Sequence, residues 1–164
     1  MSEPPVVMPE IAEIVRGALA VPEASLVIHR HRTLIELKTD KLGRGLSLYE
    51  EDGYTSWQIG EFDDHHCHLD IGLCTAVSFA AEAVSCQNGR RNYTIWFLVD
   101  RDCGNPYRPT GYFSVTFNKP YTADGAPRRD LIDRMFALYR RFEATPGVSA
   151  EPGFLQAMAE GPTT

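Results

Sequence analysis

The segment PRRDLIDRMFALYRRFEA constrains this chain more than any other. Leu131, Met135, Leu138 and Phe142 recur at helical spacing, and Ile132, Phe136 and Tyr139 widen the stripe. Pro127 and Asp130 stand at its start and Arg140 and Arg141 at its end, as the helix dipole favours, and TPG stops it. A helix with so broad an apolar face needs an apolar surface to bury it against. The preceding residues offer one: NYTIWFLVD and YFSVTFN are rich in β-branched and aromatic residues, the composition of strands.

The rest of the chain fits the same plan. PEIAEIVRGALAV places Ile11, Ile14, Val15, Ala18 and Leu19 on one face of a first helix, opened by Pro9 and closed by Pro22. From Ser25 the period changes to two. Val27, His29, His31, Thr33, Ile35 and Leu37 then share one face of a single strand, and the residues between them share the other. TDKLGRG reads as a turn, GLSLYEE and YTSWQIGEF as strands joined by a hairpin at Asp52-Gly53, and HHCHLDI as a further strand. TAVSFAAEAVSC reads as a strand, although its alanines leave helix open; QNGRR is a turn and RDCGNPYRPTG a long loop. The expected fold is α+β: an antiparallel sheet of about six to eight strands with an N-terminal helix and a long C-terminal helix packed on it. Residues 1–7 read as a loose leader, 8–147 as one domain, and 148–164 as a C-terminal tail with one more helical turn at FLQAMAE.

At 164 residues the chain is long enough to bury a core without staples. Its net charge of −6 argues against nucleic acid as a partner, since phosphate binding needs a clustered basic surface. No apolar run reaches the roughly 20 residues of a membrane span, and MSEPPVVMPE lacks the basic start of a secretory signal. The expected compartment is the cytoplasm. Cys67, Cys74, Cys86 and Cys103 match no zinc spacing and are expected as free thiols there.

All five histidines fall in two places, His29 with His31 and His65, His66 and His68 inside EFDDHHCHLD. On strands, His29 and His31 would point one way together, and so would His66, His68 and Asp70. Imidazoles from two strands could form a shell for a divalent transition metal, with Asp70 orienting a ring, and a single imidazole could ligate haem iron. The surroundings favour a cation: between Gly45 and Gly89 there are eight carboxylates and no lysine or arginine. The plainer alternative is a solvated sheet face, with HRHR a charged edge strand. The long loop carries Arg101, Tyr107 and Arg108, which would suit a lid whose arginines meet a ligand carboxylate. Nucleophilic catalysis has little support: there is no GxSxG, and the neighbours of Cys67 on a strand point away from its thiol.

From Cys67 to Phe117, the HLD…TAVSF strand, the turn QNGR, the aromatic strand NYTIWF, a glycine-bearing turn and YFSVTF ahead of a C-terminal helix resemble the haem-utilisation carrier family. That resemblance implies a haem-binding sheet with histidine as iron ligand, for which His29, His31, His66 and His68 are the candidates. The expected function is a small-ligand binding protein carrying haem or a metal through its strand histidines, with His66 and His68 the first choice as ligands, Asp70 the orienting partner, and Arg101 and Arg108 clamps for an anionic edge. A metal-dependent enzyme and a partner-binding domain without small ligand are the alternatives. Oligomeric state is left open, a homodimer among the options.

Overall fold

The structure, a computed structural model, describes residues 9–40, 46–51, 54–60, 66–85, 88–117 and 119–160. Asp52-Gly53, His65 and Cys86 lie outside the described residues. Helix α1 (Pro9–Leu19) is followed by strands β1 (Ala24–Arg30), β2 (Thr33–Lys38), β3 (Leu46–Glu51), β4 (Tyr54–Gly60) and β5 (His66–Leu69). After a single turn of 3-10 helix at Ile71–Leu73 come β6 (Ala76–Ala83), β7 (Arg91–Leu98) and β8 (Gly111–Phe117). Helix α2 (Arg129–Phe142), strand β9 (Val148–Ala150) and helix α3 (Pro152–Ala159) complete the described order.

The strands do not form one antiparallel sheet. Among the described residues they make a six-stranded sheet in the order β2-β1-β8-β7-β6-β9 and a three-stranded sheet in the order β3-β4-β5. The larger sheet is mixed, because β9 runs parallel to β6, with Val77 opposite Val148 and Phe79 opposite Ala150. A strand that returns after a helix can pair parallel where a tight hairpin cannot. Residues 148–160, set apart as a tail in the sequence, thus supply a strand and a helix, and Phe154 of α3 is fully buried.

The second correction concerns the expected long strand through His31. Arg30 pairs with Thr33, so His31 and Arg32 form a two-residue hairpin turn, with His31 at φ 50°. The turn inverts the alternation. His29 pairs with Leu34 and Val27 with Glu36, so even-numbered residues of β2 share a face with odd-numbered residues of β1. Sequence periodicity ran unbroken across this point and hid the turn.

One face of the large sheet carries the core. Tyr93, Ile95 and Phe97 of β7, Phe113, Val115 and Phe117 of β8, and Val77 and Phe79 of β6 are buried there. They cluster with Ile11, Ile14, Val15 and Ala18 of α1 and Leu131, Ile132, Met135 and Phe136 of α2. Phe97 and Phe113 stack at 4.4 Å, and Phe154 meets Phe79, Phe136 and Tyr139 at 5.3–5.5 Å. Where α1 meets α2, Gly17 leaves room for Leu138: a Cβ at Gly17 would lie 2.5 Å from Leu138 Cδ1.

Candidate functional site

The other face of the same sheet carries a cavity of about 550 Å³, within the range of ligand sites. Alternation puts Thr94 and Trp96 of β7, Ser114 and Thr116 of β8, Ala80 of β6 and Val27 of β1 on that face, and all line it. Register sets them side by side: Ala80 beside Thr94, Thr94 beside Thr116, Trp96 beside Ser114 and Ser114 beside Val27. Apart from the Trp96 indole, the floor is therefore made of small side chains, and the Thr94 and Thr116 hydroxyls satisfy each other at 3.2 Å. Larger groups form the walls: His29 and Leu34 from the β1–β2 hairpin, Glu82, Val84 and Ser85 from the end of β6, and Asn105 and Tyr107 from the long loop.

That loop is held by Asn105, which is buried and whose Oδ1 accepts the backbone N–H groups of Tyr107 and Arg108 at 3.0 and 3.2 Å. The turn so formed brings the Tyr107 ring to 5.2 Å from the His29 imidazole. The Arg108 guanidinium lies 5.2 Å over the Trp96 ring and pairs through Nη2 with Glu151, at the entry to α3. Glu151 also accepts from Ser78 Oγ at 3.5 Å. Beside it, burial is the main cause that raises the Glu82 carboxyl above its usual 4.5; the neighbouring Glu151 raises it further, and Arg108 opposes both. Two polar atoms of the lining residues, Trp96 Nε1 and Asn92 Oδ1, are buried with no hydrogen-bond partner among the described residues. Each costs about 1–3 kcal/mol until a partner reaches it.

The candidate residues read from the sequence fall in three places. His29 and Tyr107 line the cavity, and Arg108 sits at its wall over Trp96. His31 and Arg101 line a separate depression of about 420 Å³ together with Arg30, Asp102, Cys103 and Gly104. There the His31 N–H donates to Gly104 O, and a Cβ on Gly104 would lie 2.5 Å from the imidazole. His66 and His68 lie in β5 of the small sheet, with ring centroids 5.3 Å apart, edge to face. Asp70, just past β5, donates its backbone N–H to the Tyr112 hydroxyl at 3.3 Å. No group of three or more His, Cys, Asp or Glu side chains that could hold a metal ion comes together among the described residues.

The thiols behave as buried groups. Cys67 and Cys74 are free, and burial pushes them up to about 11 and about 12 respectively, with Asp70 and Cys103 adding to the shift at Cys74. Neither is poised as a nucleophile.

Asn92, Trp96, Glu82, Glu151 and Asn105 escaped the sequence reading. A signal for the first two was present. In NYTIWF and YFSVTF the residues facing away from the core are Asn92, Thr94, Trp96, Ser114 and Thr116. A solvated face would carry charges, whereas these small hydroxyls around an indole mark a face that is shielded but unfilled. Glu151 had no such signal, since it reaches the site only because β9 joins the sheet.

No family model matches the chain, and no curated protein sequence matches it. Solved structures do. A structure of the heme binding protein ChuX superimposes with a TM-score of 0.58 at 10% identity, over 84% of this chain and 76% of that one. A second ChuX crystal structure gives 0.57 at 11% identity with the same coverage. Protein AGR_C_4470 from Agrobacterium tumefaciens gives 0.53 at 17% identity, over 80% of this chain and 64% of its own. At such identities the likeness is one of backbone architecture, and this chain shares the fold of the ChuX structures.

Proposed function

We propose that this chain is a carrier of a flat, largely apolar small ligand of the haem class, seated in the cavity on the far face of the large sheet. One observation carries the reading: the small-residue floor leaves an open hollow of about 550 Å³, with the His29 imidazole in its wall and the Tyr107 ring beside it. A flat ligand can lie on such a floor. An imidazole at the wall can ligate haem iron, and the neighbouring phenol can orient it. The fold shared with a heme binding protein supports the same choice. On this reading the carrier works in the cytoplasm, where reducing conditions keep Cys67, Cys74 and Cys103 as thiols.

Haemin titration tests it. The Soret band is expected to shift and saturate at one equivalent, and His29→Ala is expected to change the band and weaken binding at least tenfold. Unchanged binding by His29→Ala, together with loss in His66→Ala/His68→Ala, would move the iron ligand to β5.

A second reading has its own observation. The His66 and His68 rings meet on one side of β5, and such a pair could bind one divalent transition ion with water completing the shell. Calorimetry with zinc or nickel checks it: His68→Ala is expected to abolish the heat, and equal heats in the variant would remove the site.

A further inference from the structure

The β1–β2 hairpin ends the large sheet on an open edge. β2 is the last strand of the six, bonded to β1 on one side, and no described strand lies on its other side. Thr39 N donates to Ala24 O at 3.0 Å, in step with the β1–β2 register. Backbone direction alternates along an antiparallel strand, so Leu37, Ile35 and Thr33 also turn their N–H and C=O groups toward β1. Those of Leu34, Glu36 and Lys38 line the outer edge. The side chains are bare as well. Four large apolar or aromatic side chains stand in solvent among the described residues, and two of them are neighbours on this strand, Leu34 at 56% and Ile35 at 45% exposed. An edge of this kind is a template for another strand.

The charges on β2 say which strand fits. Glu36 and Lys38 are both exposed and share one face, and within the chain Lys38 Nζ donates to Glu36 Oε1 at 2.9 Å. Charges on an edge strand ordinarily guard it against pairing. Here they are opposite in sign and two residues apart, so they match a reversed copy of themselves. A second β2 arriving antiparallel must set outer-edge residues against outer-edge residues, which allows only registers centred on one residue. Centred on Glu36, glutamate faces glutamate; centred on Lys38, lysine faces lysine; centred on Ile35, Arg32 comes opposite Lys38. A register centred on Leu34 overlaps only from Thr33 to Ile35, because the turn at His31-Arg32 ends the strand. Centred on Leu37, each Glu36 faces the other copy's Lys38, and this happens twice. On the opposite face Leu37 then meets Leu37, with an Ile35 diagonally beside each.

We infer that β2 pairs antiparallel with β2 of a second copy of this chain, in the register centred on Leu37, and joins two six-stranded sheets into one. The two-fold axis stands perpendicular to the sheet, so the two cavities, each lined by Leu34 and Glu36, open on the same side. The inference does not depend on what the cavities bind. The seam is one strand wide and smaller than a standard stable interface, so the dimer is expected to form at micromolar concentration and to dissociate on dilution.

Sedimentation equilibrium of the full chain over a series of micromolar concentrations, without haemin, tests this. Wild-type protein is expected as monomer and dimer in a balance set by concentration. Glu36→Lys and Lys38→Glu each put like charges at both pairs, and each is expected to raise the dissociation constant about tenfold or more. An equimolar mixture of these two variants sets lysine against glutamate at both pairs again. It is expected to recover the wild-type dimer, as is the double swap Glu36→Lys/Lys38→Glu. A single variant damaged in its fold would not be rescued by mixing, so recovery in either arm separates pairing from folding. A wild type that stays monomeric throughout overturns the proposal. So does a dimer indifferent to both single substitutions, or a loss that neither the mixture nor the double swap restores.

Discussion

On β7, Tyr93, Ile95 and Phe97 point to the helices, while Asn92, Thr94 and Trp96 point the other way. The same contrast runs along β8, where Phe113, Val115 and Phe117 oppose Ser114 and Thr116. Both faces of these strands are largely sheltered: Phe113 is 0% exposed and Ser114 2%. They differ in what fills them. On one side, aromatic rings and residues of all three helices pack together; on the other, hydroxyls, Ala80 and Val27 around the Trp96 indole leave a hollow. Burying a large apolar side chain stabilises by about 1.5–3 kcal/mol, so the first face holds the fold together. The second face forgoes that stabilisation and keeps space for a ligand.

Four substitutions sharpen or break this contrast. The largest effect is expected for Phe154→Ala, since Phe154 is fully buried between Phe79, Phe136 and Tyr139. Denaturant unfolding should show a loss of about 3–5 kcal/mol; a loss under about 1 kcal/mol would mean that α3 is not part of the core. Next comes Gly17→Val, which pushes a side chain into Leu138 where α1 and α2 meet. A loss of about 1–3 kcal/mol is expected from this overpacking, and unchanged stability would show that the two helices can separate.

Thr116→Leu on the cavity floor should do the reverse. It leaves the buried Thr94 hydroxyl without its partner, a cost that the newly buried apolar atoms offset, so stability should change by about 1 kcal/mol or less. Haemin affinity should fall at least about tenfold as the hollow closes. Full binding in this variant would place the ligand elsewhere.

The smallest effect lies off both faces. Arg128 reaches Glu23 through two hydrogen bonds of 2.9 and 3.1 Å and holds its carboxyl below the usual 4.5. A lowered folded value means that the pair adds stability above the ordinary carboxylate range. That stability is lost as pH falls through the folded value. The pair is exposed to solvent, so Glu23→Gln should cost less than about 1 kcal/mol at neutral pH, with no difference from wild type in strong acid. A difference persisting in acid would assign the effect to something other than this charge.

Much of the scaffold was legible. The helical stripes of α1 and α2 and the alternation in β7 and β8 are local patterns, and each element buries the side they mark. The site was legible only in fragments. His29 and Tyr107 stood out as residue types, but nothing in the chain tells that the loop turned by Asn105 folds back onto the β1–β2 hairpin. His31 was misplaced because a two-residue hairpin leaves period two intact on either side while exchanging the faces. β9 was missed because three residues are too few to show a period.

By itself, the order of apolar and polar residues determined that this chain has helices at its ends, strands between them and a fully packed side to its central sheet. Those features depend on neighbours within a few positions, and hydrophobic burial rewards them wherever the chain closes. Tertiary structure alone decided which strands share a sheet, that Glu151 comes to pair with Arg108, and that the second face keeps a hollow. These depend on contacts across 40 residues and more, such as Arg108 with Glu151, and on the large side chains among the described residues standing around the space rather than filling it.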